Sequence, residues 1–88
     1  MAVYNLTLKP SVEKDLRKIP ASFVRLIIPK ISQLSSDPFP PKSAKLAGGG
    51  HYYRIRIGDY RVIYEVYHSS KEVVVHYVRH RSEVYRSF

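Results

Sequence analysis

The sequence predicts a small α+β domain in which an antiparallel-rich β-sheet packs against an N-terminal hairpin of two helices. The element order is β-α-α-β-β-β, followed by a short C-terminal helical stub. Three observations predict this class. Polarity alternates with a period of two at the start of the chain and again over residues 52–79, whereas residues 10–34 follow a helical period. Turn residues divide the second alternating region. With 88 residues in all, 1–88 form a single domain.

The positions of the first strand and of the two helices are predicted from where the spacing of apolar residues changes from a strand period to a helical one. Polarity alternates from Val3 to Leu8, and Pro10 suits the first turn of a helix. A second helix begins within residues 20–22 and stops at the proline-rich SSDPFPP. Pro29 lies inside this pattern and predicts a bend in one helix, not two helices. The predicted buried stripe of the second helix consists of Phe23, Ile27, Ile31 and Leu34.

The rest of the chain is predicted to form a loop, three strands and the short C-terminal helical stub. Residues 35–51 have the composition of a loop, and their GGG lacks the Lys and Ser or Thr of a phosphate-binding loop. Gly58-Asp59 is a Gly-first hairpin turn, and HSSK closes the next hairpin. Ser82 is the predicted N-cap of the stub. The predicted strands are Tyr52 to Ile57, Tyr60 to Tyr67, and Glu72 to about Arg79.

The hairpin YYRIRIGDYRVIYEV separates into an apolar and a basic face, because residues opposite one another across a hairpin share a face. Arg56 lies opposite Arg61, and like charges in this position are destabilising. Arginine's planar fork matches phosphate, so the pair indicates an anion site, although any solvated sheet face also carries polar residues. The helix-side face comprises Tyr53, Ile55, Ile57, Tyr60, Val62, Tyr64 and Val66. The other face comprises Tyr52, Arg54, Arg56 and Arg61.

Arg79 does not fit simple alternation. A four-residue loop at 68–71 pairs Arg61 with Val78 and directs Arg79 toward the helices, which is unfavourable for an arginine. Either a β-bulge shifts the register or the strand ends earlier, and both would turn Arg79 toward the other arginines.

The C-terminal tail adds His80, Arg81, Tyr85 and Arg86. Tyr85 either stacks on a nucleobase or caps the sheet as part of the core. His80 is the obvious group near the arginines that exchanges a proton near neutral pH.

Charge and composition restrict the partners. Fifteen Lys and Arg against seven Asp and Glu give a net charge of +8, which favours nucleic acid, an acidic protein segment or an anionic membrane surface. Without cysteine, a disulfide scaffold and a thiolate zinc site are excluded, and the scattered His and acidic residues predict no metal site. We also expect no signal peptide and no membrane span, and therefore a cytoplasmic protein.

The segments KDLRKIP, SSDP, KLAG, YYRIRIGDYRVIYEV and VRHRSEVY together resemble RelE-type toxins of the RelE/ParE superfamily, the toxic half of type II toxin–antitoxin pairs. The resemblance covers nearly the whole chain and is strongest from KLAG through the hairpin and in RSEVY. It implies a ribosome-dependent endoribonuclease that cleaves mRNA in the A site by attack of a ribose 2′-OH, without metal or cofactor. It also implies two partners, the ribosome with its mRNA and a cognate antitoxin that is acidic and partly disordered when free.

The resemblance also implies site residues. Arg54 and Arg56 stand where the best-known member has lysines, and because arginine stays protonated they are assigned to binding and transition-state stabilisation. The general base is therefore open, with His80 as the candidate for proton transfer. The implied catalytic residues are Arg54, Arg56, Arg61, Arg79, Tyr85 and His80. The implied RNA-binding residues are Tyr52, Arg54, Arg56, Arg61, Arg81 and Arg86.

Two other functions fit the same fold: a ParE-like inhibitor of DNA gyrase, and an RNA- or ribosome-binding module without catalysis. The combination of the four sheet arginines with Tyr85 favours the ribonuclease.

Overall fold

The computed structural model describes residues 3–46, 48 and 50–83. Its strands form one five-stranded sheet in the order β1-β5-β4-β3-β2, in which β1 runs parallel to β5 and the other neighbours are antiparallel. The predicted α+β class and the order of the predicted elements are confirmed. The elements are β1 (Asn5–Leu8), α1 (Pro10–Arg17), α2 (Ala21–Gln33), β2 (Ser43–Lys45), β3 (Tyr52–Ile57), β4 (Tyr60–Tyr67) and β5 (Glu72–His80).

One strand was not predicted. β2 lies within the stretch interpreted as a loop and pairs with β3, with Ser43 opposite Ile55 and Lys45 opposite Tyr53. Three residues are too short to show an alternating pattern. The strand forms because β3 would otherwise expose an unpaired edge.

The helices cover one face of the sheet and enclose the core. The predicted helix-side face of the hairpin is confirmed, because its residues are buried or pack on the core. Phe23 was wrongly placed in the core: its side chain is 41% exposed, since the first turn of α2 lies at the outer end of β4, against Tyr60. Pro29 lies within α2, which is a single helix. The buried core consists of Tyr4, Val12, Ile27, Ile31, Leu34, Ile55, Val62, Tyr64, Val66, Val73, Val75 and Val78.

Helix α1 completes the edge of β5. Strand β1 pairs only with residues 72–75, so the second half of β5 has no neighbouring strand on that side. There the Ser11 hydroxyl donates to the carbonyl oxygen of His76 (2.5 Å), and the backbone N–H of Val78 donates to Asp15 Oδ2 (3.1 Å). These bonds satisfy edge groups that would otherwise need water or another chain.

The chain continues from β5 into a helical turn at residues 81–83, so the stub begins before Ser82, the predicted cap. Tyr85 and Arg86 lie outside the described residues. Within the part of the chain that the structure describes, no helix is long and apolar enough to cross a membrane.

Candidate functional site: the open face of the sheet

Three arginines form one row across the face of the sheet that α1 and α2 do not cover, here called the open face. Arg56 on β3 lies opposite Arg61 on β4, as predicted, and Arg61 in turn lies opposite Arg79 on β5. Neighbouring strands are about 4.8 Å apart, so the three side chains leave the same strip of surface. We call Arg56, Arg61 and Arg79 the arginine row.

A β-bulge brings Arg79 into this row. Ile63 pairs with Tyr77 but the next residue, Tyr64, pairs with Val75, so His76 is an additional residue on β5. Because of this additional residue, the side chains after the bulge point to the opposite face of the sheet from the one that simple alternation predicts. The predicted bulge is therefore confirmed, whereas the simple pairing of Arg61 with Val78 is wrong.

Two members of the arginine row are held by neighbouring groups. Arg61 Nη1 donates to the carbonyl oxygen of Gly58 (2.9 Å), which folds the side chain back over the hairpin turn. The guanidinium of Arg79 lies 4.1 Å from the centre of the Tyr77 ring, and its Nε lies 3.8 Å from Asp15 Oδ2. A cation over an aromatic face and beside a carboxylate is stabilised, so repulsion within the row is partly offset.

Arg54 occupies the next row of the same face. It lies opposite Ile63, which is only 1% exposed although it does not belong to the helix-side core. Arg54 Nη1 is buried and has no hydrogen-bond partner among the described residues. A buried donor without an acceptor is costly, so this nitrogen is suited to an acceptor that arrives with a ligand.

A third row carries a polar cluster that the sequence interpretation missed. His76 Nε2 lies 2.5 Å from Glu65 Oε1, and the Tyr67 hydroxyl donates to Glu65 Oε2. Tyr52 lies opposite Glu65, and its ring centre is 5.3 Å from that of His76. The sequence could have predicted this cluster. With a four-residue loop at 68–71, Glu65 lies opposite Val74, and His76 follows Val74 by two residues and therefore lies on the same face.

Glu65 is held in its ionised form. Burial would raise the pKa of Glu65, but hydrogen bonds from Tyr67 and His76, with the positive charge of the histidine, lower it below its usual range. The open face thus contains one fixed carboxylate beside its arginines.

His80 does not belong to this face. It lies opposite Tyr60, with the two ring centres 5.7 Å apart, and lines a cavity of about 330 Å³ with Asp15 and Ile19. Its Nδ1 accepts a hydrogen bond from the backbone N–H of Ser82 (3.2 Å). The bulge that turns Arg79 to the open face turns His80 to the helix side. Arg79 nevertheless lines the same cavity as His80, so the role of His80 in proton transfer stays a prediction.

Arg81 lies beyond the sheet at the hairpin turn. Its backbone N–H donates to the carbonyl oxygen of Asp59 (2.7 Å), and its exposed Nε lies 3.7 Å from Asp59 Oδ1. The structure therefore joins Tyr52, Arg54 and the arginine row on one face, with Arg81 at its rim.

Comparisons with known proteins identify the family. A family model described as "ParE toxin of type II toxin-antitoxin system, parDE" matches residues 6–85. The curated protein "Putative toxin RelE1" of Methanocaldococcus jannaschii is 28% identical over 87 residues, which cover 96% of this chain and 97% of that protein.

Solved structures of RelE toxins share the fold. The toxin chain in the crystal structure of the archaeal RelE–RelB complex from Pyrococcus horikoshii is 30% identical, with a TM-score of 0.79 over 96% of this chain and 100% of that one. The isolated E. coli RelE toxin is 27% identical, with a TM-score of 0.73 over 96% and 93%. The chain therefore belongs to the ParE toxin family, as a RelE-type toxin of the RelE/ParE superfamily of type II toxin–antitoxin systems.

Proposed function

We propose that this toxin is a ribosome-dependent endoribonuclease that cleaves mRNA in the A site and so blocks translation. The observation that carries the proposal is the arginine row, three like charges in register on three adjacent strands. Each opposed pair costs a few tenths of a kcal/mol to about 1 kcal/mol, and because the neighbours of Arg61 and Arg79 offset this only in part, an anion bound at the row would stabilise it. An RNA backbone supplies such anions at regular spacing.

The arginines act by binding and electrostatic stabilisation. A 2′-oxygen attacks the adjacent phosphorus, and negative charge grows on the non-bridging oxygens as the bond to the 5′-oxygen breaks. Guanidinium groups that project from neighbouring strands can stabilise this charge once Arg61 and Arg79 exchange their present partners for the phosphate oxygens. Because arginine stays protonated, none of the four sheet arginines removes the 2′ proton. No metal or cofactor enters this mechanism.

RNA contacts extend beyond the arginine row. Tyr52 lies two residues before Arg54 on the same face of β3, where an aromatic ring suits stacking on a base, and Arg81 adds charge at the rim. The resemblance of RSEVY to the family adds two further residues to the proposal. Tyr85 would orient the substrate, and Arg86 would make a further contact with RNA.

The proposed partners are the ribosome with its mRNA and a cognate antitoxin. The P. horikoshii relative is solved as a RelE–RelB complex, and an E. coli structure is described as the intact RelBE toxin–antitoxin complex. With a net charge of +8, this chain suits an acidic antitoxin segment that is partly disordered when free and folds over the arginine face. The proposed location is the cytoplasm, where ribosomes and mRNA are found.

Inhibition of DNA gyrase is the second candidate, favoured by the description of the matching family as ParE. Primer extension on mRNA from programmed ribosomes, run beside a gyrase cleavage assay, separates the candidates. New mRNA ends at the A site support the ribonuclease. Trapped DNA breaks without mRNA ends support gyrase inhibition. Neither product, with RNA retained on the protein, indicates a binding module.

A further inference from the structure

We propose that His76, oriented by Glu65, is the general base that removes the 2′ proton in the proposed RNA cleavage. The inference rests on the proposed function, and it supplies the proton acceptor that the arginines cannot provide. His76 and Glu65 are on the open face, one row from Arg54, whereas His80 is on the opposite face of the sheet.

The hydrogen bond between the pair sets the tautomer of His76. The Glu65 carboxylate only accepts hydrogen bonds, so the imidazole Nε2 carries the proton that it shares with Oε1 at 2.5 Å. The lone pair of the neutral ring is therefore on Nδ1. No described residue donates a hydrogen bond to that nitrogen, and Nδ1 remains available as a proton acceptor. A carboxylate fixing one nitrogen so that the other acts as a base is the arrangement of the Ser-His-Asp triad.

The charge on Glu65 suits this role. Because hydrogen bonds from Tyr67 and His76 hold the pKa of Glu65 below its usual range, the carboxylate stays ionised throughout the titration range of histidine. It then stabilises the imidazolium that forms when His76 takes up a proton. Among the described residues, the titratable groups in contact with the pair or its partners are Tyr52 on β3, Tyr67 on β4, Tyr77 on β5 and His51, whose ring contacts Tyr67.

The position of His76 fits a nucleotide bound at Arg54. Tyr52 contacts the His76 ring, and Arg54 follows two residues later on the same strand and face, about 6.8 Å along the strand. The proposal places the scissile phosphate at the Arg54 guanidinium, with its attacking ribose on the His76 side. The ring of Tyr52 lies where the base of that nucleotide would stack.

The step balances in atoms and charge. The 2′-O–H transfers its proton to His76 Nδ1 while the 2′-oxygen bonds to phosphorus, and the bond from phosphorus to the 5′-oxygen breaks. The products are a 2′,3′-cyclic phosphate and a 5′-hydroxyl, whose proton comes from water. His76 then returns its proton to solvent. No oxidant, reductant or metal is required.

The test is single-turnover cleavage of mRNA on programmed ribosomes, measured across the titration range of histidine. In the wild type, the rate rises with pH to a plateau, as expected for a reaction that needs a general base in its unprotonated form. His76→Ala lowers the plateau by roughly 10²- to 10⁴-fold, the usual contribution of a general base, and abolishes the rise. Glu65→Gln lowers the plateau by about 10- to 100-fold, because the imidazolium that forms at His76 loses its counter-charge.

Two further measurements distinguish chemistry from a structural role. Added imidazole restores cleavage by His76→Ala and by His76→Gln. Replacing the bridging 5′-oxygen of the RNA with sulfur, which leaves without protonation, does not restore it. His68→Ala is the matched control, since His68 is exposed and its ring stacks on Phe39 in the loop after α2, away from the open face.

Several results would overturn the inference. One is cleavage by His76→Ala with the wild-type rate and pH profile. A second is a loss of activity that imidazole does not rescue in either His76 variant. A third is recovery on the sulfur substrate, which would make His76 the acid. Absence of cleavage by the wild type is a different result, because it overturns the proposed function itself.

Discussion

The two faces of the sheet use the same strands for opposite purposes. On the helix-covered face, Val62, Tyr64 and Val66 are at most 1% exposed and fill the core. On the open face, the residues between and beside them carry the arginine row and the Glu65–His76 pair. Successive residues of a strand point to opposite sides of the sheet. Every second residue of a strand therefore packs in the core, and the residues between them can carry charged side chains. Substitutions on the two faces should therefore affect different properties.

The largest expected effect belongs to the covered face. Ile27 is completely buried on α2, so Ile27→Ala should lower the free energy of unfolding by about 2–5 kcal/mol. Urea denaturation measures the change. Leu26→Ala is the matched control, since its side chain is 61% exposed and its removal should cost less than about 0.5 kcal/mol. Equal losses in both variants would contradict the assignment of this face to stability.

The arginine row should show the reverse pattern. Arg61→Ala and Arg79→Ala should each reduce ribosome-dependent cleavage by about 10²- to 10³-fold, as expected for loss of a donor to a developing oxyanion. Their unfolding free energies should change by less than about 1 kcal/mol, because both side chains lie near the surface. Primer extension and urea denaturation together provide the measurement. Arg25→Ala on the exposed side of α2 controls for net charge, and wild-type cleavage by both row variants would exclude the proposed site.

Tyr64 offers a smaller effect that depends on pH. Its hydroxyl donates to the carbonyl oxygen of Pro38 (2.8 Å), and burial raises the pKa of Tyr64 from 10.0 to about 12. The folded protein thus keeps the phenol protonated while the unfolded chain loses the proton, so stability falls as pH rises from 10 toward 12.

Tyr64→Phe should cost about 1–2 kcal/mol at neutral pH, because the Pro38 carbonyl loses its donor. It should also flatten the alkaline loss of stability seen in the wild type. Thermal denaturation over the alkaline range measures both, with Tyr60→Phe at the rim of the same face as the control. An unchanged alkaline slope in Tyr64→Phe would assign that slope to other groups.

The two faces also differ in how far sequence predicts them. Gly58-Asp59 fixes the register of β3 and β4, and Gly58 has the positive φ of 59° that a Gly-first turn requires, so the pairing of Arg56 with Arg61 followed directly. Strand β2 was missed because its pairing depends on the edge of β3, not on its own three residues.

The candidate site depends on tertiary features that local patterns do not contain. For Arg79, simple alternation required either a bulge or an earlier end of the strand, and it did not choose between them. The observed bulge at His76 decides that His80 faces the helices. The Glu65–His76 pair needed two strands in register before it could be recognised. Phe23 matches the helical period of the core, yet it lies in the first turn of α2 against Tyr60, at the outer end of β4, and stays exposed.

The smallest expected effect is a gain in stability when one charge is removed from the arginine row. Arg56→Thr removes one like-charge contact and introduces a β-branched residue, so it should raise the free energy of unfolding by about 0.2–1 kcal/mol. The same change should weaken binding of single-stranded RNA. It should also reduce the slope of log affinity against log salt concentration by the amount expected for roughly one phosphate contact. Lys45→Thr on β2 is the control, because Lys45 lies opposite Tyr53 and relieves no arginine repulsion. A gain in stability confined to Arg56→Thr, together with weaker binding, would show that repulsion is retained for the ligand. No gain would mean that the row is not strained, and that its charge alone does not indicate an anion site.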